Sequence, residues 1–226
     1  MRASFKVFAL LTFALAWPAA SGAKALSPTA TVGLQAYVAK IGKAVESGTL
    51  KPRFFIDVGF GGKGPAQWQE FTDQAAIDAA CKEGGCPQEA WVYFDQGHCM
   101  LAAFTLTSPS GDWVNNVDYY FYLSGQIAKN HSELRRFGAT DPKDPKGAPF
   151  LVEVQRSRYF DKAGKLIGSD KPLVYKVKDK DKEVIEGAQF AEGEWPTYKS
   201  TQDLPMAAAL QPKKAVKKPK AAKAKP

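Results

Sequence analysis

Leu34, Tyr37, Val38, Ile41 and Val45 recur at the spacing of one helical face, whereas from Trp91 onward apolar and polar positions alternate with period two. The chain therefore divides into a helical beginning and a β-rich remainder. Ser27 suits an N-cap, Pro28 the first helical position and Gly48 the stop, which bounds the first helix. Arg53–Val58 follows as a short strand, Gly59–Gly64 as a loop, and Ala66 to about Lys82 as a second helix with Trp68, Phe71 and Ala75 on its inner face. Strands are then expected at Trp91–Asp95, His98–Thr107, Trp113–Leu123, Gln126–Phe137, Phe150–Phe160 and Lys165–Ile167. Turn residues separate them, at Gln96-Gly97, Ser108 to Gly111, Ser124-Gly125 and Asp161 to Gly164, so neighbours should pair antiparallel. The expected class is α+β, with N-terminal helices packed on an antiparallel meander and a disordered basic tail after it.

Alternation also assigns faces. Met100, Ala102, Phe104 and Leu106 share one side of their strand, as do Val117, Tyr119, Phe121 and Leu123 of the next, and these sides are expected to meet the helices. The other side carries Val114, Asn116, Asp118, Tyr120 and Tyr122. Tyr120 and Tyr122 are read either as cross-strand packing residues with wet hydroxyls or as a ligand-binding surface.

Charge changes the picture at the two ends. The formal net charge of +8 divides into +2 from Arg2 and Lys6, +7 from the lysines after Pro212, and −1 from everything between. The sequence pI of 9.3 therefore describes the ends rather than the body. Arg2 and Lys6 precede the apolar run Val7–Trp17, and small residues follow at Ala19–Ala23. That is the pattern of a secretory signal over residues 1–23, with the mature chain beginning near Lys24 or Leu26. The run falls short of the ~20 apolar residues needed to span a bilayer, and no later segment is read as apolar enough to cross one. Residues 26–203 have ordinary globular composition and are read as one domain. From Leu204 to Pro226 the composition narrows to a Lys/Ala/Pro-rich tail that buries too little apolar area to offset its ordering entropy. Lys213, Lys214, Lys217, Lys218, Lys220, Lys223 and Lys225 form a polycation without aromatic or arginine stacking groups. It should bind polyanions such as envelope polymers or lipid headgroups, and no specific nucleic acid.

The chain has three cysteines, so export to an oxidising compartment implies one disulfide and one thiol left over. Gly84-Gly85 permits the tight return that joining Cys81 to Cys86 requires, and that pair is preferred, leaving Cys99. No metal site is read, since there is no fourth thiol and only His98 and His131 remain. Gly59, Gly61 and Gly64 match a dinucleotide-binding spacing, but the expected sheet is antiparallel and Cys81-Lys-Glu-Gly-Gly-Cys86 occupies the region where a second parallel strand and its acidic residue would have to end, so no cofactor is assigned. His98 and Cys99 are adjacent on a strand and point to opposite faces, which argues against a catalytic pair. Asp179–Glu183 lacks the glycine and glutamate of a calcium loop and is read as a solvated turn. No catalytic residue is assigned. The expectation is an exported, envelope-associated binding protein of unspecified ligand, with Tyr120, Tyr122 and His131 as candidate contacts. The alternative is a periplasmic hydrolase using His131 with a nearby carboxylate, Asp118 or Glu133.

Overall fold

The computed structural model describes residues 28–60, 65–81, 88–108, 110–139, 146, 149–178, 181–185 and 196–210. Helix α1 (Pro28–Glu46) forms where the apolar periodicity places it, and it stops where Gly48 takes a φ of 68°. The chain then enters β1 (Pro52–Asp57) and reverses into β2 (Trp68–Phe71), where one continuous helix from Ala66 was expected. The reversal is fastened by Asp57, a buried carboxylate whose Oδ1 accepts the N–H groups of Gly59 at 2.9 Å and Gln67 at 2.6 Å. Across the same hairpin, Arg53 donates to both carboxylate oxygens of Glu70, at 2.7 and 2.6 Å. Helix formation is deferred to the short α2 (Gln74–Ala80), capped by Asp73, whose Oδ1 accepts the Ala76 N–H at 2.8 Å.

The remaining strands are β3 (Gln88–Asp95), β4 (His98–Thr107), β5 (Trp113–Phe121), β6 (Ile127–Ala139), β7 (Phe150–Phe160), β8 (Leu166–Ser169), β9 (Leu173–Lys178) and β10 (Asp181–Val184), followed by a single turn of helix, α3 (Ala207–Leu210). They form one ten-stranded sheet in the order β10-β9-β7-β6-β5-β4-β3-β1-β2, with β8 also paired to β7. Every pairing is antiparallel. The meander is as expected, but strand makes up 51% against 17% helix, so the fold is largely β rather than an even α+β mixture. The stretch read as a solvated turn at Asp179–Glu183 instead contributes Asp181, Lys182 and Glu183 to the exposed edge strand β10.

The faces are covered the other way round from the expected arrangement. Helix α1 lies on the side of Tyr93, Leu101, Tyr120 and Tyr159, through Leu34, Tyr37 and Ile41. The opposite side, with Phe55, Val92, Ala102, Phe104, Val117, Tyr119 and Phe121, is closed by the C-terminal segment through Tyr198, Leu204, Met206 and Leu210. Met100 leaves that side because the β3–β4 register shifts at Tyr93/Phe94, and the extra residue turns Met100 and Leu101 toward α1 together. Leu123 lies past the end of β5 and is 58% exposed.

Placing the tail boundary at Leu204 is therefore corrected: Leu204 and Met206 are core residues, 3% and 2% exposed. Backbone bonds hold this segment to the sheet, with Ile127 N–H donating to Lys199 O and Thr201 N–H to Gly125 O, each at 2.9 Å. Tyr119 Oη donates to Pro196 O at 2.6 Å, and Arg53 Nη2 to Ala209 O at 2.9 Å. Gly125 is required in the turn beneath it, having a φ of 81° and a position where a Cβ would come within 2.9 Å of Thr201 Oγ1. We expect Leu204→Ala to lower the unfolding free energy by about 2–4 kcal/mol in urea titration, as for other large-to-small core changes. A loss of less than about 0.5 kcal/mol, the range of surface substitutions, would mean that the segment is not part of the core.

Candidate functional site

Two surfaces on the α1 side of the sheet carry the candidate residues. The first is a cleft of about 590 Å³ at the N-terminal half of the helix. Gly33, Leu34 and Tyr37 line it from α1, Tyr122, Leu123 and Ser124 from the β5–β6 connection, and Lys162 from the β7–β8 turn. The rings of Tyr37 and Tyr122 stack with centroids 5.6 Å apart and planes at 27°. Both hydroxyls are used internally: Tyr37 Oη donates to Phe121 O at 2.7 Å and Tyr122 Oη to Phe160 O at 2.9 Å. The rings are thereby fixed as walls.

Tyr120, expected beside Tyr122 on an open face, lies instead beneath α1, packed with Tyr37, Tyr159 and Leu101. Burial, with Asp118 nearby, pushes its phenol up to about 12. Lys129 places its ammonium 5.9 Å from the Tyr120 ring and 5.8 Å from that of Tyr159.

The second surface is polar. Asp118 on β5 pairs directly with His131 on β6, which pairs with Ser157 on β7, so the three side chains share a face in one cross-strand row. His131 Nδ1 and Ser157 Oγ are 3.1 Å apart. The Asp118 carboxyl is raised to about 6 by burial, with Lys129 opposing the shift and Glu133 adding to it. Burial first, and Lys129 second, push His131 down, which favours a neutral imidazole at neutral pH. Glu133 is on the same face but is engaged by Arg135 Nη2 at 2.8 Å. Arg135 Nε also donates to Glu153 at 3.0 Å, and Glu153 accepts from Gln155 at 2.6 Å and Lys182 at 2.6 Å. Three donors hold Glu153 ionised although it is 0% exposed, and its pKa falls despite the opposing effect of burial.

The structure thus brings His131 together with Asp118 and Glu133 on one half-buried polar face, and separates them from Tyr122 in the cleft. Cys99 is a free, buried thiol in the core opposite α1, raised to about 12 by burial, while His98 is exposed at the strand start, so the pair is divided as alternation expects. Cys81 forms the C-cap of α2; Cys86, most of the glycine motif (Gly61 to Gly64) and the seven tail lysines lie outside the described residues. The chain reading missed Ser157 because only the β6–β7 register aligns it with His131, and missed Lys162 because the residue looked like turn chemistry alone. Comparison with protein-family models, curated proteins and solved structures finds no match to this chain.

The raised Asp118 carboxyl has a signed consequence for stability. Its folded pKa lies above the ordinary value of 3.8, so folding favours the protonated form. That stabilisation is complete below the ordinary value and is lost as pH rises through about 6. Asp118→Asn is expected to match the parent near pH 4 and to exceed its stability by on the order of 2 kcal/mol at pH 7.5, read from paired urea titrations. A variant less stable than the parent at pH 7.5 would mean that the ionised carboxylate has a favourable partner.

Proposed function

We propose that this chain is an exported, envelope-associated binding protein: its folded sheet recognises a ligand on the α1 side, and its lysine-rich end tethers it to anionic polymers or lipid headgroups. The observation that carries this reading is the segregation of charge. Seven lysines follow Pro212, beyond a C-terminal segment whose last described residues are docked on the sheet, while the chain between leader and tail carries a net −1. A near-neutral body offers little long-range attraction, whereas each lysine near an anionic surface contributes about 1 kcal/mol within a Debye length. Among the described residues no helix is long and apolar enough to cross a membrane. The proposal includes cleavage near residue 23 and a disulfide between Cys81 and Cys86. We expect the purified mature chain to sediment with envelope fractions at low salt and to be released at high salt, while a version ending at Gln211 stays in solution. Release that does not depend on salt, or equal sedimentation of both versions, would refute the tether. Peptide mapping of the same preparation without reduction should yield Cys81 linked to Cys86 and Cys99 as a thiol.

A second reading, a hydrolase, is favoured by the row Asp118, His131 and Ser157, in which a hydroxyl lies within hydrogen-bond distance of an imidazole and a carboxylate flanks it on the next strand. Against it, Ser157 is only 6% exposed. This reading expects hydrolysis of p-nitrophenyl acetate above background, with the excess lost in both Ser157→Ala and His131→Ala. The binding reading expects no excess rate in the parent.

A further inference from the structure

The cleft between α1 and the β5–β6 and β7–β8 turns has a chemistry that the polar row lacks. Its walls are apolar or aromatic, through Leu34, Leu123 and the stacked rings of Tyr37 and Tyr122. Because the two tyrosine hydroxyls donate to backbone carbonyls, they do not compete to hydrate the interior. At the rim, Lys162 is the one charged side chain among the described lining residues. The neighbouring carboxylate, Asp161, turns one oxygen into its own turn, Oδ1 accepting the N–H groups of Ala163 and Lys165 at 2.9 Å each, and it is not among the described residues that line the cleft. Ser124 Oγ accepts the Gln126 N–H at 3.4 Å, which leaves its O–H to donate. Gly33 stands in the interior of a helix, where glycine is unfavourable, and a Cβ built there would meet nothing within 4 Å. The missing side chain keeps the cleft open. The volume of about 590 Å³ is that of a small-molecule site.

We infer that this cleft binds a small amphipathic anion: an apolar chain or flat ring system lies against Tyr37 and Tyr122, and a carboxylate, sulfonate or phosphate group meets Lys162 and Ser124. The walls supply apolar contact and ring faces, and among the described lining residues the rim supplies one cation and one hydroxyl free to donate, so the complementary ligand has an apolar body and an accepting, negatively charged head. The inference rests on the reading that the folded body binds a ligand, and it supplies the chemical class for that ligand.

The test uses the full mature chain and 8-anilinonaphthalene-1-sulfonate as the probe, with the uncharged N-phenyl-1-naphthylamine beside it. The lysine-rich end is the same in every variant, so sulfonate collected there is a constant background. Lys162→Gln is expected to weaken the sulfonate by about tenfold, the loss of one charge-assisted contact, and to leave the uncharged amine unchanged. Gly33→Leu fills the cleft and is expected to abolish binding of both probes, with a melting temperature no lower than the parent's, since leucine is the better helix former. Decanoate and 1-naphthoate, as competitors, separate an acyl-chain ligand from an aromatic one; displacement of the sulfonate by either supports the site. Sulfonate affinity unchanged in both variants would overturn the inference, as would an equal loss of both probes in Lys162→Gln. Salt-released sedimentation without probe binding at the cleft would sink this inference alone; probe binding by a chain that does not sediment would sink the tether alone.

Discussion

A wide antiparallel sheet has two faces, and at its centre both faces of this one are apolar, so each must be covered. On β4, β5 and β6 the residues turned one way include Ala102, Phe104, Val117, Tyr119, Phe121 and Ile127, all nearly inaccessible, and those turned the other way include Leu101, Tyr120 and Ala128. One amphipathic helix covers a single face. The second cover is the extended segment 196–210, and its seat is an aromatic cluster in which Tyr198 lies 5.8 Å from Phe104 and 5.0 Å from Tyr119. The fold therefore depends on residues from both ends of the described chain reaching the middle strands.

This two-sided cover determines where ligands can approach. Helix α1 packs on Tyr120, and the row from Asp118 through His131 to Ser157 crosses β5, β6 and β7 on the same side, half-buried at Asp118 and His131 and buried at Ser157. The charges farther along this side of the sheet are paired. Glu153 is held by Arg135, Gln155 and Lys182, which ties β6, β7 and the edge strand β10 into one network. Removing any one donor leaves two on the buried carboxylate, whereas removing Glu153 takes a shared acceptor from all three. The cleft lies along the first half of α1, where Gly33 presents no side chain and the β5–β6 and β7–β8 turns form the opposite wall.

Much of the architecture was legible along the chain because it depends on local periodicity and turn chemistry. Helix α1, the paired runs from β3 to β8 and the turns at Gly97, Gly111, Gly125 and Gly164, all of which have positive φ, follow from spacing and from glycine's freedom at those positions. The β1–β2 hairpin was not legible, since Trp68 and Phe71 suit a helical face as well as a strand. The deciding contacts, Asp57 on Gln67 and Arg53 on Glu70, join residues far apart in sequence. Strands β9 and β10 were missed for a similar reason: their lysine-rich runs become strands by pairing with β7 and with each other.

The amino-acid sequence by itself determined the alternation within each strand, the helical face of α1, the position of the tight turns and the placement of positive charge at the two ends. These are properties of neighbouring residues. Only the tertiary structure decided which face α1 covers, because alternation divides a strand into two sides without saying which partner meets either. A single added residue at Met100 was enough to move a side chain from one core to the other. The same limit holds for function: Tyr122 lines a cleft and Tyr120 does not, although they are two positions apart, because Tyr37 and the β5–β6 and β7–β8 turns frame Tyr122, whereas Tyr120 packs with Leu101 and Tyr159 beneath the helix.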